Sequence, residues 1–169
     1  MDLETAPFLK IYTLDEAKSL RSSFTGDKTF VFTNGCFDIL HPGHLDYLYQ
    51  ASLLGQYLMV GINSDDSVKR LKGPERPIVS QKDRAKMLCG LRPVDGVIIF
   101  EEDTPLELIK ALRPDVLVKG GDWQVNDIVG GPETLSWGGQ VKSLPFSWGY
   151  STTTLIERIL SASSLCKTP

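Results

Sequence analysis

Short apolar runs of strand type alternate along this chain with stretches whose apolar residues return every three or four positions. TFVFTN (residues 29–34) precedes HLDYLYQASLLG (44–55), YLMVGIN (57–63) precedes SDDSVKRL (64–71), and QKDRAKMLCGL (81–91) precedes VDGVIIF (94–100). The alternation continues through TPLELIKAL (104–112), DVLVKG (115–120), GGQVKSLPF (138–146) and STTTLIERILSA (151–162). Brief apolar runs suit strands buried on both faces, and helices between them carry the chain over to parallel neighbours by right-handed crossovers. The order predicts an α/β fold, a doubly wound parallel sheet of about five strands with helices on both faces.

In the first of these helices Leu45, Leu48, Tyr49, Ala51 and Leu53 share one broad face, expected to cover the sheet, and Gly55 stands where a C-cap glycine would. TLDEAKSLRSSF (13–24) is amphipathic, with Thr13 as N-cap and Glu16 completing a capping box. Residues 1–27 are thus expected to form an N-terminal extension with one helix, 28–162 the main domain and 163–169 a tail. KGPERPIVSQ (72–81) and KGGDWQVNDIVGG (119–131) have the composition of long loops. In doubly wound sheets ligands sit beyond the carboxyl ends of the strands, where strand order reverses, and both loops are placed to reach that edge.

Composition narrows the function classes. The 169 residues are 41% hydrophobic and 23% charged, enough apolar material for one full core. A net charge of −3 leaves no basic excess for nucleic acid or an anionic membrane surface, and no local basic patch compensates. The longest apolar stretches, such as YLMVGI at 57–62, fall far short of the roughly 20 residues that span a bilayer, and DLETAP after Met1 does not read as a signal sequence. A soluble, cytoplasmic protein is expected. Cys36, Cys89 and Cys166 are odd in number and lack CxxC spacing, which speaks against a disulfide framework or a zinc site.

Both histidines of the chain, His41 and His44, lie in HPGH between the first of these strands and its helix. Pro42 and Gly43 set up the turn, and the helix that follows aims free N–H groups and the positive end of its dipole above the sheet. The turn is an anion pocket in which two imidazoles can donate to phosphate oxygens without a permanent charge in the empty site. GYSTT (149–153) opens the last helix with hydroxyls and unpaired N–H groups, which read either as an N-cap cluster or as a second phosphate cradle facing the first. Lys72, on a turn-rich loop, can neutralise phosphates. Arg76 and Arg84 have the planar donor fork that suits them, and Arg84 is favoured because it rides a helix.

GCFDILHPGH (35–44) resembles the HxGH signature of the cytidylyltransferase-like nucleotidyltransferases. Residues 61–78, 101–123 and 149–159 are similar, in order, to the module that joins AMP to D-glycero-β-D-manno-heptose 1-phosphate in lipopolysaccharide precursor synthesis. The resemblance covers residues 28–160 and implies a Rossmann-like fold of nucleotidyltransferase type, ATP as co-substrate, Mg2+ and a homodimer. In many members the module follows a sugar kinase, for which 169 residues leave no room, so a stand-alone enzyme is expected. By the same resemblance, His41, His44 and Lys72 stabilise the transition state at the α-phosphorus. Thr33, Asn34, Gly35, Phe37 and Asp38 border the nucleotide, with Asp38 either holding Mg2+ or closing an Asx turn. Lys119, Gly120 and Asp122 shape the nucleotide site, and Tyr150, Ser151, Thr152 and Thr153 hold phosphates. Trp123 contacts the sugar or packs as a lid. Asn63 and Asp65 meet sugar hydroxyls, although a helix N-cap explains Asp65 about equally well. Trp137 and Trp148 receive no role.

In that reading the nucleophile is the substrate's own anomeric phosphate, so neither a protein nucleophile nor a general base is required, in keeping with the missing GxSxG elbow. A glycerol 3-phosphate cytidylyltransferase or an FAD-forming adenylyltransferase shares GxFDxxHxGH and stays open as an alternative. A non-catalytic nucleotide-binding module would need a damaged phosphate site, whereas His41, His44, Lys72 and the Ser-Thr cluster are all present. A plain NAD-binding domain lacks GxGxxG after the first strand.

Overall fold

Successive residues of the same strand feed two different cores. In β2 (Phe30–Gly35), Phe30 and Phe32 face one side of the sheet and Val31 the other. In β3 (Tyr57–Asn63), Leu58, Val60 and Ile62 lie opposite Met59. Such strands read as continuous apolar runs because neither face meets water. The computed structural model describes residues 10–121, 123–145 and 151–165. Its sheet is six-stranded and parallel, in the order β1-β4-β3-β2-β5-β6, and is completed by β1 (Ile11–Tyr12), β4 (Gly96–Phe100), β5 (Val116–Gly120) and β6 (Gln140–Leu144).

Among the described residues seven α-helices accompany it: α1 (Leu14–Ser22), α2 (Pro42–Ser52), α3 (Asp65–Lys72), α4 (Gln81–Cys89), α5 (Leu106–Leu112), α6 (Gly131–Ser136) and α7 (Thr152–Leu165). Tyr47, Leu48 and Ala51 of α2 and Ala85 and Leu88 of α4 fill one core, while Ala17 of α1 and Leu108, Ile109 and Leu112 of α5 fill the other. From β2 the chain winds outward through β3 to β4, then crosses back to β5 on the far side of β2. Strand order therefore reverses between β2 and β5, and the crevice of a doubly wound sheet opens there.

The fold class agrees with the sequence reading, and four details differ. β1 is an extra strand, its two residues pairing Ile11 with Val97 and Tyr12 with Ile98, too short to show a period. α6 is an element the sequence pattern does not announce, because six residues opening on Gly131-Pro132 give no helical stripe. The covering face of α2 is only partly the expected one: Leu48 and Ala51 meet the sheet as expected, whereas Leu45, Tyr49 and Leu53 are exposed and the helix is turned so that Tyr47 joins the core. The Tyr47 hydroxyl fixes that rotation through Thr33 Oγ1 and the Val118 carbonyl. Gly55 does not cap α2, which ends at Leu53; it lies where a Cβ would come within 2.6 Å of the Thr29 carbonyl oxygen. The capping box on α1 is present as expected. Trp137 lies beneath the Arg113 guanidinium and donates to the Pro114 carbonyl, a packing role; Trp148 lies outside the described residues.

Candidate active site

The carboxyl end of β2 runs straight into the histidine turn. At Gly35 a Cβ would stand 2.9 Å from the Phe37 ring, so only glycine lets the chain fold back there, and Phe37 takes a left-handed backbone (φ 47°) to tuck its ring inward. That ring lies 5.1 Å from the His44 imidazole. His41 is the N-cap of α2: its Nδ1 accepts the His44 N–H at 3.3 Å, and Pro42 occupies the first turn where no N–H is needed. The two imidazoles stack 3.7 Å apart at 20°. The roles of the pair divide, since His44 lines a pocket of about 660 Å³ at the crevice and His41 does not.

Two buried ionic groups hold the loops around this turn. Arg84 is fully buried, and its guanidinium donates to the carbonyls of Val79, Cys36 and Asn63 and to the Asp65 carboxylate. Asp38, also buried, accepts the N–H groups of Ile78 and Val79 on Oδ1 and the Arg76 side chain on Oδ2. The turn after β2, the end of β3, the start of α3 and the 76–80 loop are thereby tied together.

These contacts correct several sequence expectations. Arg84 cannot reach a substrate phosphate, because its fork is consumed by four protein acceptors and it lines no part of the pocket. Asp65 is its ion-pair partner, and a sugar role for it falls with the same observation. Asp38 lines the pocket, yet both of its oxygens are taken by protein donors, so it offers a poor fit to Mg2+. No group of three or more His, Cys, Asp or Glu that could hold a metal occurs among the described residues. Thr33 is buried against Tyr47 behind the pocket wall, and Ser151 spends its hydroxyl on the start of α7, accepting the Thr154 N–H. Asp122 and Tyr150 lie outside the described residues.

The other expected residues converge. Asn34, Gly35 and Phe37 from the end of β2 and the turn after it, Lys119 and Gly120 from β5, and Thr152 and Thr153 from α7 line the pocket together. Lys72 enters from the last turn of α3 and Arg76 from the loop after it, Trp123 from the loop after β5 and Asn63 from the end of β3. Asn63 is engaged as well, its Nδ2 donating to Ser67 Oγ at 3.0 Å. Thr152 Oγ1 donates to the Ile39 carbonyl, which sets the start of α7 beside the histidine turn. Sequence reading missed Asp103, Thr104 and Pro105 ahead of α5 and Asp127 to Val129 ahead of α6, all of which line the pocket. The signal for them was positional, since each segment leaves the carboxyl end of a strand beside the switch point.

Charge in the pocket is arranged for an anion. Burial, and secondarily His41 beside it, lowers His44 to about 4, so the imidazole is neutral at physiological pH. Its Nδ1 is buried and has no hydrogen-bond partner in the structure. Burial also lowers the Lys119 ammonium, with the Lys72 charge adding to the effect and Cys36 opposing it. The Cys36 thiol is pushed up by burial against the pull of Lys72, Arg84, Arg76 and Lys119. Burial likewise pushes the Asp38 carboxyl up, but the Val79 and Ile78 N–H groups and Arg76 outweigh it and hold the group below its ordinary value.

A doubly wound parallel sheet with helix starts, imidazoles and lysines gathered at its switch point defines a nucleotidyltransferase of the α/β class. The chain belongs to the cytidylyltransferase-like family, whose pattern matches residues 32–158. It is 53% identical over 150 residues to the bifunctional protein HldE of Koribacter versatilis, a match covering 88% of this chain and 31% of that protein. To the protein of the same name from Helicobacter pylori it is 57% identical over 129 residues, covering 76% and 27%. The chain thus spans about a third or less of the length of these relatives. The lipopolysaccharide core biosynthesis protein of Thermoplasma volcanium superposes with a TM-score of 0.59 at 29% identity, over 73% of this chain and 99% of its own. A pantoate-β-alanine ligase from Francisella tularensis reaches a TM-score of 0.60 at 15% identity over 83% of this chain and 68% of its own, a likeness of fold alone.

Proposed function

We propose that the chain is an adenylyltransferase that moves AMP from ATP to a sugar 1-phosphate, foremost D-glycero-β-D-manno-heptose 1-phosphate, releasing ADP-heptose and pyrophosphate. One arrangement carries the reading: the starts of α2 and α7 open on one pocket in which His44, Thr152 and Thr153 stand among Lys72, Arg76 and Lys119. The similarity to relatives named bifunctional protein HldE, together with the resemblance of residues 61–78, 101–123 and 149–159 to a heptose 1-phosphate adenylyltransferase module, supports the choice of acceptor.

The acceptor's phosphate oxygen attacks the α-phosphorus as the bond to pyrophosphate breaks in line, and the leaving pyrophosphate carries the charge away. The protein supplies alignment and preorganised donors: the His44 imidazole and the helix starts donate hydrogen bonds to the equatorial oxygens, while Lys72 and Arg76 keep two anionic partners together. A neutral His44 lets the pocket accept a polyanion without first losing a buried charge. Mg2+ would arrive with the ATP phosphates, which supply its oxygen ligands and gain charge neutralisation from it. Catalysis by residues 28–162, a homodimer and a cytoplasmic setting belong to the same proposal and rest on family resemblance. Among the described residues, no helix is long and apolar enough to cross a membrane.

Pyrophosphate release tests the reading directly. ATP with heptose 1-phosphate is expected to give the highest kcat/KM in a matrix of ATP and CTP against heptose 1-phosphate, glycerol 3-phosphate and FMN. A preference for CTP, or for either other acceptor, would reassign the chain within its family, and no release in any combination would leave only nucleotide binding.

A further inference from the structure

The pocket has two walls of opposite character. The wall on the α2 and α4 face presents His44, Lys72, Arg76 and the start of α7. The opposite wall is built from the two loops that leave β4 and β5, and its side chains are Asp103, Thr104, Trp123, Asp127 and Val129. Asp38 on the first side is neutralised by Arg76 and Lys119 stands at the end of β5 between the two, so the cations favour phosphates there, while the Asp127 carboxylate and, less strongly, the Arg70-paired Asp103 disfavour them along the second wall. Whatever extends along the second must be uncharged, rich in hydroxyl donors and flat enough to lie on an indole.

That second wall is held in place. The Trp123 indole is half exposed, while its Nε1–H donates to the Gly120 carbonyl at 3.1 Å and its backbone N–H to Ser143 Oγ at 3.1 Å. The polar edge of the ring is used up, which leaves an apolar surface for a ligand. The Asp127 N–H donates to the Gln124 carbonyl at 2.9 Å, and Gly130 presses so closely on α5 that a Cβ would meet Ile109 Cδ1 at 2.6 Å. The Asp127 carboxylate itself has no hydrogen bond or ion pair to another described residue, and Asp103 shares one oxygen with Arg70 at 2.7 Å. A pyranose with an exocyclic polyol chain has an apolar C–H face for the indole and more hydroxyl donors than a nucleoside for carboxylates on two separate loops.

We propose that this wall is the acceptor-sugar subsite, in which Trp123 is the stacking platform and Asp127, assisted by Asp103 and Thr104, accepts hydrogen bonds from the sugar hydroxyls and so sets the preference for a polyol acceptor. The inference rests on the adenylyltransferase reading and adds Asp127 as its specificity-determining residue.

Steady-state pyrophosphate release by the full chain separates the two ideas. For Asp127→Ala, KM for heptose 1-phosphate is expected to rise at least about tenfold while KM for ATP stays within about twofold. Asp127→Asn, which keeps one accepting oxygen, is expected to recover part of the loss. An unchanged KM for heptose 1-phosphate in Asp127→Ala would overturn the inference and leave the reading intact. The same follows from a rise in KM for ATP, which would place the nucleoside on this wall, or from recovery by excess Mg2+. A wild-type chain unable to use heptose 1-phosphate would bring down the reading and this inference together.

Discussion

His44 and Arg84 stand at the same edge of the sheet, both withdrawn from water, and their hydrogen bonding is opposite. Arg84 gives its guanidinium to four acceptors on separate stretches of chain, while the buried Nδ1 of His44 has no partner at all. A buried polar group left unsatisfied costs about 1–3 kcal/mol, so native chains rarely leave one without cause. Here the demand is met in full at the residue that ties the loops and left unmet at the residue that lines the pocket. The pair separates scaffold from site more cleanly than residue type does, since by type alone the arginine is the better phosphate ligand.

The comparison is most easily broken at Arg84. Arg84→Leu would leave one buried and two half-buried carbonyls without this donor and the Asp65 carboxylate without its cation, and a loss of roughly 3–5 kcal/mol in unfolding free energy is expected. Urea denaturation should show this as a lower midpoint. Arg84→Lys keeps the charge without the fork and should recover only a fraction. If Arg84→Leu proved as stable as the parent, the residue would not be the scaffold element its contacts describe.

His44 should behave in the reverse manner. His44→Ala is expected to lower kcat by about a hundredfold to a thousandfold, equivalent to roughly 3–4 kcal/mol of transition-state stabilisation. Its unfolding free energy should stay within about 1 kcal/mol of the parent, because no protein hydrogen bond at Nδ1 is lost. Near-normal turnover in the folded variant would remove His44 from the chemistry.

The same contrast explains what could be read from the sequence. That His44, Lys72, Thr152 and Thr153 would gather at one pocket was legible because helix starts, turn residues and cations mark such a place from local order alone, whereas His41 caps α2 and does not line it. The winding of the sheet was legible because β2, β3 and β5 are apolar on both faces. Arg84 and Asp65 were assigned to substrate because a sequence gives the donors a residue carries and not the acceptors that will fill them. Arg84 meets Cys36 across 48 positions and Asn63 across 21, distances at which no local pattern speaks. Leu45, Tyr49 and Leu53 misled for a related reason, since the rotation of α2 is decided by Tyr47 reaching Thr33 and Val118, a tertiary bond with no helical period.

Acid titration sharpens the comparison. His44 is held at about 4 against an ordinary 6.5, by burial first and by His41 second. As pH falls below 6.5 the unfolded chain takes up a proton that the folded chain refuses until about 4, so the His44 contribution is intact above 6.5 and lost progressively on the way down. The loss should amount to about 2–3 kcal/mol. Unfolding free energies at the two ends of this window, in the parent and in His44→Gln, read it, because Asp38 and the burial that lowers His41 are common to both proteins. Asp38 is held below its ordinary value, and its stability is lost only as pH falls through that depressed value. Equal declines in parent and variant would mean that His44 is not kept neutral by its surroundings.

The smallest effect belongs to a polar pair that is fully satisfied and also wet. The Thr13 N–H donates to Glu16 Oε2 at 2.8 Å and the Glu16 N–H to Thr13 Oγ1 at 3.3 Å, both at the exposed start of α1. Water can replace either bond, so Thr13→Ala should cost only about 1 kcal/mol, seen as a drop of a few degrees in Tm. Neither KM nor kcat should move, because α1 contributes no residue to the pocket and buries only Ala17, in the core on the α5 side. A changed KM in Thr13→Ala would mean that α1 influences the loops ahead of α5 and α6, and that the division between scaffold and site does not hold at the N-terminal helix.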